Sequence, residues 1–198
     1  FMRYDLTSFW KFSTFAGITN SFGSINDVYN GFILLSAKNL SSRNTDIQQT
    51  RSNFVGSRLE YRNPLNNIFF NVSYNFNDRT NNVTFLNELD EKSQQFIIKG
   101  YNLENNSKTN SARTELGKYF PKFKTNASVG YNYSLNNYQQ LPANSTPTES
   151  SFIDVEGVNQ GVSVKFNNNY FSWLSVDYNA NWNFNNTKSP DDARFNNK

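Results

Sequence analysis

Residues 114–133 read TELGKYFPKFKTNASVGYNY, and this stretch decides the fold. In its second half, apolar or aromatic side chains alternate with polar ones from Ala127 to Tyr133. Successive side chains of a β-strand point to opposite faces, so the alternation predicts a strand with one apolar and one polar side. The first half alternates as well, and Pro121 separates the two because proline donates no ladder hydrogen bond. The stretch therefore predicts two long strands joined by a tight turn.

The same pattern recurs along most of the chain. Ile68–Phe76 and Phe171–Phe184 alternate clearly, and such strands are longer than the roughly five to six residues usual in soluble sheets. A strand that crosses a bilayer needs about 9–11 residues. Strand length therefore favours a membrane protein.

Short and long connections also alternate, as they do in membrane barrels, which have short turns on one side and long loops on the other. The pattern predicts an all-β fold, an antiparallel up-and-down transmembrane β-barrel. Residues 1–198 would form a single segment of its wall, with about 8–10 long strands in a meander. Tight turns are predicted after Arg62, Phe120 and Phe166, and long polar loops after Lys38, Ser134 and Phe184.

Residues 78–108 allow two interpretations. In the first, the strand weakens past Asn82 and turns, and a single long strand then carries Phe96 and Leu116 in the same phase. In the second, two additional strands occupy Val83–Leu89 and Phe96–Leu103. Periodicity alone does not choose between them. Elsewhere, residues 2–16 are predicted as one strand and residues 39–50 as a polar loop.

A soluble β-sandwich is the competing fold, because its strands also alternate between apolar and polar residues. A sandwich would bury side chains such as Phe70, Val72 and Tyr74 beneath a second sheet. It rarely needs strands of this length or connections so unequal. Both features therefore favour the membrane barrel.

The composition excludes much of enzymology. The 198 residues contain neither cysteine nor histidine, so a thiolate nucleophile, a disulfide and a histidine base or ligand are all impossible. The formal net charge of +3 gives no electrostatic reason to expect nucleic acid as a partner. The carboxylates at Glu88, Asp90, Glu91, Asp191 and Asp192 are explained by solvated loops. We predict no enzymatic activity, no catalytic or metal-binding residue and no cofactor.

In a membrane barrel the two faces of each strand meet different surroundings. Aromatic side chains on the lipid side form girdles at the bilayer interfaces, and polar side chains line the lumen. Simple strand packing and simple solvation are the structural alternatives. The lipid-facing or girdle candidates are Tyr4, Trp10, Phe70, Tyr74, Tyr131, Tyr133, Tyr178 and Trp182. The lumen-facing candidates are Arg58, Glu60, Asn71, Asn75, Arg113, Glu115, Asn132 and Asp177, together with Asp154 and Glu156.

The hairpins Leu59–Phe76, Leu116–Tyr133 and Val162–Phe184 resemble the late barrel strands of TonB-dependent outer-membrane receptors of Bacteroidota-type bacteria. Most of the resemblance lies in Gly-Lys-Tyr-Phe at 117–120, followed by Phe-Lys-Thr at 123–125 and the alternating strand after it. The asparagine-rich, cysteine-free composition is similar to that of such barrels.

This resemblance implies a barrel of about 22 strands with a plug in its lumen, in the outer membrane of a Gram-negative bacterium. Ligand uptake would be energised through TonB. The implied partners are membrane lipid, the remainder of the barrel and its plug, TonB and a surface lipoprotein.

The chain shows no plug, no energy-coupling segment and no closing strand that ends in an aromatic residue, since Phe195 is followed by Asn-Asn-Lys. We therefore expect a piece of the barrel wall. Two other hypotheses stay open. One is a self-contained eight-stranded outer-membrane barrel with a structural or adhesive role, and the other is a soluble carbohydrate-binding β-sandwich.

Overall fold

The computed structural model describes residues 1–36, 39–90, 95–142, 147–148, 151–171 and 173–190, which form an all-β fold. Short 3-10 helices occur at Ile25–Val28 and Pro121–Phe123. Among the described residues, no helix is long and apolar enough to cross a bilayer. The strands are β1 (Met2–Asp5), β2 (Trp10–Phe22), β3 (Ile33–Ser36), β4 (Asn39–Ser42), β5 (Gln49–Asn63), β6 (Ile68–Asn81), β7 (Thr84–Asp90), β8 (Gln95–Tyr101), β9 (Asn105–Phe120), β10 (Thr125–Gln140), β11 (Ile153–Phe171) and β12 (Leu174–Lys188).

Eight of these strands form one large antiparallel sheet in the order β1-β2-β5-β6-β9-β10-β11-β12. Each strand neighbours the one before it in the chain once β3, β4, β7 and β8 are set aside, so the predicted all-β up-and-down meander is confirmed. β1 and β12 are the two edges of this sheet. The other four strands form a small sheet in the order β3-β4-β8-β7, in which β4 and β8 run parallel.

The ladder register divides the large sheet into two chemically different faces. Residues paired across antiparallel strands point to the same side. One line of partners, on what we call the apolar face, is Trp10–Tyr61–Phe70–Leu116–Val129–Val164–Ala180. The next line, on what we call the polar face, is Lys11–Glu60–Asn71–Glu115–Gly130–Ser163–Asn181.

The tight turns of the large sheet all lie at one end. Thr7 Oγ1 accepts hydrogen bonds from two backbone N–H groups of the first turn, at 3.2 and 3.1 Å. Asn63 Oδ1 does the same in the second turn, at 3.0 and 3.2 Å. Such side-chain acceptors replace ladder partners and reverse the chain. In the third turn the Pro121–Phe123 helix is closed by Lys124, whose φ is 45°.

The long connections lie at the opposite end, over residues 23–48, 82–104 and 141–152. The predicted asymmetry of the connections is thus confirmed, although its positions shift. β10 continues past Ser134 to Gln140, and β11 continues past Phe166 to Phe171. Asparagine and glutamine, which we took as loop residues, extend these strands because their neighbours supply ladder partners.

Two further sequence predictions were wrong. Residues 2–16 form a hairpin rather than one strand, because Thr7 closes a turn and Tyr4 pairs with Phe12. The predicted loop at 39–50 contains β4, which pairs with β3 and β8. Short strands of this kind give too few alternating positions to be detected by periodicity.

The ambiguous segment at 78–108 follows the second interpretation. β7 and β8 occupy Thr84–Asp90 and Gln95–Tyr101, so a single strand carrying both Phe96 and Leu116 was wrong. The chain leaves the large sheet after Asn81 and returns at Asn105, which face each other in the ladder. Asn105 Nδ2 donates to Thr84 Oγ1 at 2.6 Å and to the backbone carbonyl of Val83 at 3.3 Å. These bonds anchor the small sheet to the end of the large one.

Buried apolar side chains gather at this same end. In the part of the chain that the structure describes, the buried hydrophobic residues are Val83, Leu86, Leu141 and Val155. They lie beside or just beyond the ends of the long strands. The middle of the large sheet therefore holds no hydrophobic core of its own.

The polar face also carries every glycine of the large sheet. Three of them are direct ladder partners of phenylalanines, so that a ring lies over the space where a side chain would be. The phenylalanine–glycine partners are Phe15–Gly56, Phe54–Gly17 and Phe69–Gly117. The other glycines of this face are Gly130, Gly157 and Gly161.

We predict that Gly117→Ala destabilises the sheet by about 1–3 kcal/mol, since a Cβ atom there would lie 2.0 Å from Cζ of Phe69. The matched control is Gly157→Ala, where the nearest atom is a backbone oxygen at 3.9 Å. That change should stay within about 0.5 kcal/mol of the parent protein.

Urea unfolding in detergent micelles measures both variants. Adding Phe69→Ala to Gly117→Ala should restore part of the loss, because it removes the clashing ring. Equal effects of the two alanine substitutions would contradict the ring-over-glycine packing.

Candidate functional site

The apolar face of the large sheet is uncovered in the part of the chain that the structure describes. Tyr74, Val129 and Tyr131 remain 43%, 52% and 39% exposed in the middle of the sheet, and Val176 is 44% exposed in β12. A sandwich would bury these side chains beneath a second sheet about 10 Å away. The small sheet does not do this, because it continues from the ends of the strands.

All eight girdle candidates lie on this apolar face. The register places Tyr4, Trp10 and Phe70 on it through their partners Phe12, Tyr61 and Leu116. Several of the phenol groups bond within the face, as between Tyr74 and Asn110 at 2.8 Å. The remaining candidates on this face are Tyr131, Tyr133, Tyr178 and Trp182.

The polar face brings five of the lumen candidates together in one place, which we call the charged groove: Arg58, Glu60, Asn71, Arg113 and Glu115. Glu60, Asn71 and Glu115 are successive ladder partners across β5, β6 and β9. Arg58 and Arg113 flank them on the neighbouring line, separated by Ser73. The charge in the groove therefore alternates in sign along β5 and along β9, while each line across the three strands carries charges of one sign.

Only part of the charge in this groove is neutralised internally. Arg58 Nε lies 2.7 Å from Glu60 Oε1, an ion pair along one strand. Within the described residues, Arg113 and Glu115 form no ion pair. Asn71 Oδ1 is shielded from solvent and has no hydrogen-bond donor among the described residues. The groove thus presents one cation, one carboxylate and one amide oxygen to an additional polar group.

Three further lumen candidates, Asn75, Asn132 and Asp177, share the polar face but not the groove. Asn75 packs against the open side of Gly56, and Asn132 packs against that of Gly161. Asp177 accepts a hydrogen bond from Asn167 near the tight turns. These side chains fill the space left by glycines or tie neighbouring strands together.

Asp154 and Glu156, which were also predicted to face the lumen, do not lie on the polar face. Glu156 pairs with Asn137 and Lys188, and this line belongs to the apolar face. The two carboxylates lie beyond the last apolar line, at the end of the sheet with long connections. Their spacing of two residues correctly predicted that they share a face of the strand. The sequence pattern at that end of β11 did not show which of the two faces it is.

A second polar cluster, which the sequence did not reveal, lies in the small sheet. Glu88 accepts hydrogen bonds from Lys99 Nζ at 2.6 Å and from the Tyr101 hydroxyl at 2.7 Å. Burial raises the pKa of Glu88, but these bonds and the charge of Lys99 outweigh burial and lower it. Burial and the bond to Glu88 raise the pKa of Tyr101 to about 12. Among the other loop carboxylates of the sequence, Glu91, Asp191 and Asp192 lie outside the described residues.

Neither cluster is arranged for a reaction that we can identify. The described residues contain no group of three or more aspartate or glutamate side chains placed to hold a metal ion. Comparison with known proteins adds no relative, since no family model, curated protein or solved structure matches the chain. What the chain offers chemically is one apolar face and one polar face with a charged groove.

We predict that the Glu88 cluster makes the small sheet sensitive to pH. The lowered pKa of Glu88 stabilises the fold above the unfolded value near 4.5, and this contribution is lost as pH falls through the folded value. The raised pKa of Tyr101 stabilises the fold below 10, and this contribution is lost as pH rises through about 12. Glu88→Gln should remove the acid dependence and weaken the alkaline one, because burial, the largest cause of the raised pKa of Tyr101, remains.

Amide exchange protection of β7 and β8, corrected for the intrinsic rate at each pH, measures this effect. Because the side chain of Lys99 is 44% exposed, salt screens its charge, and the pH dependence due to Glu88 should be smaller in high salt. Glu104→Gln removes an exposed carboxylate from the same connection and serves as the control. A pH profile unchanged by Glu88→Gln would contradict the prediction.

Proposed function

We propose that this chain is a section of the wall of an outer-membrane transport barrel of the TonB-dependent receptor type. In this proposal the apolar face contacts lipid and the charged groove faces the lumen. Residues 1–198 would act as a single barrel segment in the outer membrane of a Gram-negative bacterium. Its partners would be the remaining wall, a plug, TonB and a surface lipoprotein. Transport would then be a property of the assembled barrel.

The observation that carries the proposal is the uncovered apolar face. Monomeric soluble proteins rarely expose contiguous apolar patches larger than a few hundred Å², and each Å² of apolar surface left in water costs about 25 cal/mol. Here Tyr74, Val129 and Val176 stay 43%, 52% and 44% exposed on three different strands of one continuous face. Hydrocarbon lowers this cost without a second protein layer.

The height of the apolar face suits a bilayer. On β10 it runs from Ala127 to Leu135, a path of about 27 Å at ~3.4 Å per residue. Tilting the strand by about 40° leaves roughly 20 Å across the membrane, close to the ~25 Å apolar band of outer-membrane barrels. The next residue of this face is Asn137, so the band ends where the long connections begin.

The distribution of side-chain size supports the polar face as the inner one. Every glycine of the large sheet lies on the polar face, where Phe15, Phe54 and Phe69 cover three of them, whereas Trp10, Trp182 and most strand tyrosines lie on the apolar face. A sheet bends more easily towards the side with small side chains, and glycine positions permit the bending in barrels. Curvature in this direction would enclose the charged groove.

The free edges favour a larger assembly over a self-contained eight-stranded barrel. Within hydrocarbon, each unpaired backbone N–H or C=O group costs several kcal/mol, so a sheet must close. β1 has four residues and β12 has 15, and no ladder joins them in the described chain. The apolar pattern continues to β12, from Val176 to Phe184, and the one charge in that range, Asp177, lies on the polar face. β12 is therefore suited to pairing with a further strand.

We predict that nitroxide labels attached to adjacent residues of β10 will report opposite surroundings. Because the chain has no cysteine, Val129→Cys and Ser128→Cys each give a single labelling site. In lipid vesicles the label at Val129 should be relaxed by oxygen and shielded from a water-soluble nickel chelate. The label at Ser128, on the polar face, should be accessible to the chelate. Electron paramagnetic resonance measures both accessibilities.

A label at Leu65, in an exposed tight turn, gives the accessibility of a residue in water. Equal chelate access at Val129 and Leu65 in the folded protein would exclude the membrane assignment. Shielding of Val129 from both oxygen and the chelate would instead indicate the interior of a soluble sandwich.

A further inference from the structure

The third tight turn of the large sheet carries three lysines close together. Lys122 and Lys124 lie in the turn itself, and both are exposed. Lys118 lies near the end of β9 and points to the apolar face, because its ladder partners are Ile68 and Ala127. The apolar band of β10 begins at Ala127, so Lys118 places a positive charge at the border of that band.

The sequence around the tight turns does not balance this charge. Residues 61–77, 116–130 and 157–176 contain the second, third and last tight turns with parts of their flanking strands. These ranges hold five basic residues and no aspartate or glutamate. Glu115 and Asp177, which directly adjoin two of the ranges, point to the polar face. The apolar side of this end therefore has an excess of positive charge.

The contacts of the three lysines leave their charges available. Within the described residues, none of them forms an ion pair, and no hydrogen bond engages their side chains. Lys118 Nζ lies 5.3 Å from the centre of the Phe120 ring. This cation–π contact orients the ammonium group towards the turn without neutralising it. An anion at this turn would thus meet three uncompensated ammonium groups.

We propose that Lys118, Lys122 and Lys124 bind the phosphate group of an anionic phospholipid, in the leaflet at the end with tight turns. Lys118 extends from the border of the apolar band towards the interface, as long basic side chains do at membrane surfaces. The two lysines of the turn approach the same headgroup from the water side. Their contacts to phosphate oxygens are charge-assisted hydrogen bonds. The inference rests on the proposed contact of the apolar face with lipid, and it adds the class of lipid and the residues that recognise it.

The charge pattern favours an anionic headgroup over a zwitterionic one. The ammonium group of a zwitterionic phospholipid would be repelled by the three lysines. The ranges around the turns supply no carboxylate to accept its hydrogen bonds. A headgroup with a net negative charge meets attraction alone.

The surroundings favour a lipid over a soluble phosphate compound. Phe120 and Phe123 lie between the lysines in the sequence, and both rings are exposed. On the apolar face, the next line of ladder partners beyond Lys118 contains Leu116 and Val129, which are exposed as well. A phospholipid held at Lys118 would lay its acyl chains over these side chains. A soluble phosphate compound would leave them uncovered.

The test is lipid binding to the full chain refolded in nonionic detergent, measured by native mass spectrometry. Phosphatidylglycerol and phosphatidylethanolamine with identical acyl chains are compared. We expect phosphatidylglycerol to bind about fivefold more tightly, the effect of one basic residue near an anionic lipid surface. Salt screens these charges, so the preference should decrease as the salt concentration rises.

Lys118→Gln should remove most of this preference, whereas Lys118→Arg keeps the charge and should retain it. Changing Lys122 and Lys124 together to glutamine should also reduce the preference. Lys165→Gln is the matched control, because it removes a lysine from the polar face of β11 and should leave the preference unchanged. Heat-dependent gel mobility verifies that each variant is folded. Equal binding of the two lipids, or a preference that survives the loss of all three lysines, would overturn the proposal.

Two further results would separate the alternatives. Competition by glycerophosphoglycerol, which lacks acyl chains, at the same concentration as the lipid would identify a soluble ligand and overturn the lipid assignment. If the label at Val129 contacts hydrocarbon while neither lipid is preferred, the headgroup site is wrong and the membrane-wall proposal stands. If that label contacts water, the membrane-wall proposal itself has failed.

Discussion

The two-residue period of the strands, held in register across the whole sheet, is the constraint on which this structure depends. A slip of one residue in any ladder would turn that strand's apolar side chains to the opposite face. Instead, the pairings carry one line from Trp10 through Val129 to Ala180 without a change of face. The irregularity in the last ladder lies between Asn168 and Phe171, beside the last tight turn.

This arrangement changes where the stability of the protein comes from. A soluble domain of this length would bury an apolar core, yet the buried hydrophobic side chains here, such as Val83 and Val155, gather at one end of the described chain. Across the large sheet, backbone ladders and cross-strand pairs worth roughly 0.2–1 kcal/mol each hold the strands together. In the proposed barrel wall, lipid would cover the apolar face and the charges of the polar face would lie in the lumen.

Long strands, the meander and the chemistry of both faces could be predicted from sequence. Alternation over ten or more residues assigns each side chain of a strand to one of its two faces. Tyr74 and Asn75, for example, were assigned to opposite faces, and the register puts them there. The pairing within the small sheet could not be predicted, since β4 and β8 pair across more than 50 residues and neither is long enough to show which face its side chains occupy. Asp154 and Glu156 were misplaced because the alternation of β11 becomes visible only from Val158 onward. Arg58 and Arg113 lie close together because of the order of the strands in the sheet. The two-residue period of the sequence does not determine that order.

The natural tryptophans provide the most direct test of the central claim, that the apolar face touches hydrocarbon. Trp10 and Trp182 lie on that face, whereas Trp173 is 79% exposed in the last tight turn. In vesicles of lipids brominated along their acyl chains, variants that retain only Trp10 or only Trp182 should be strongly quenched. A variant that retains only Trp173 should be quenched much less. If the variants that retain only Trp10 or only Trp182 are folded and brominated lipid does not quench their fluorescence, the account is contradicted.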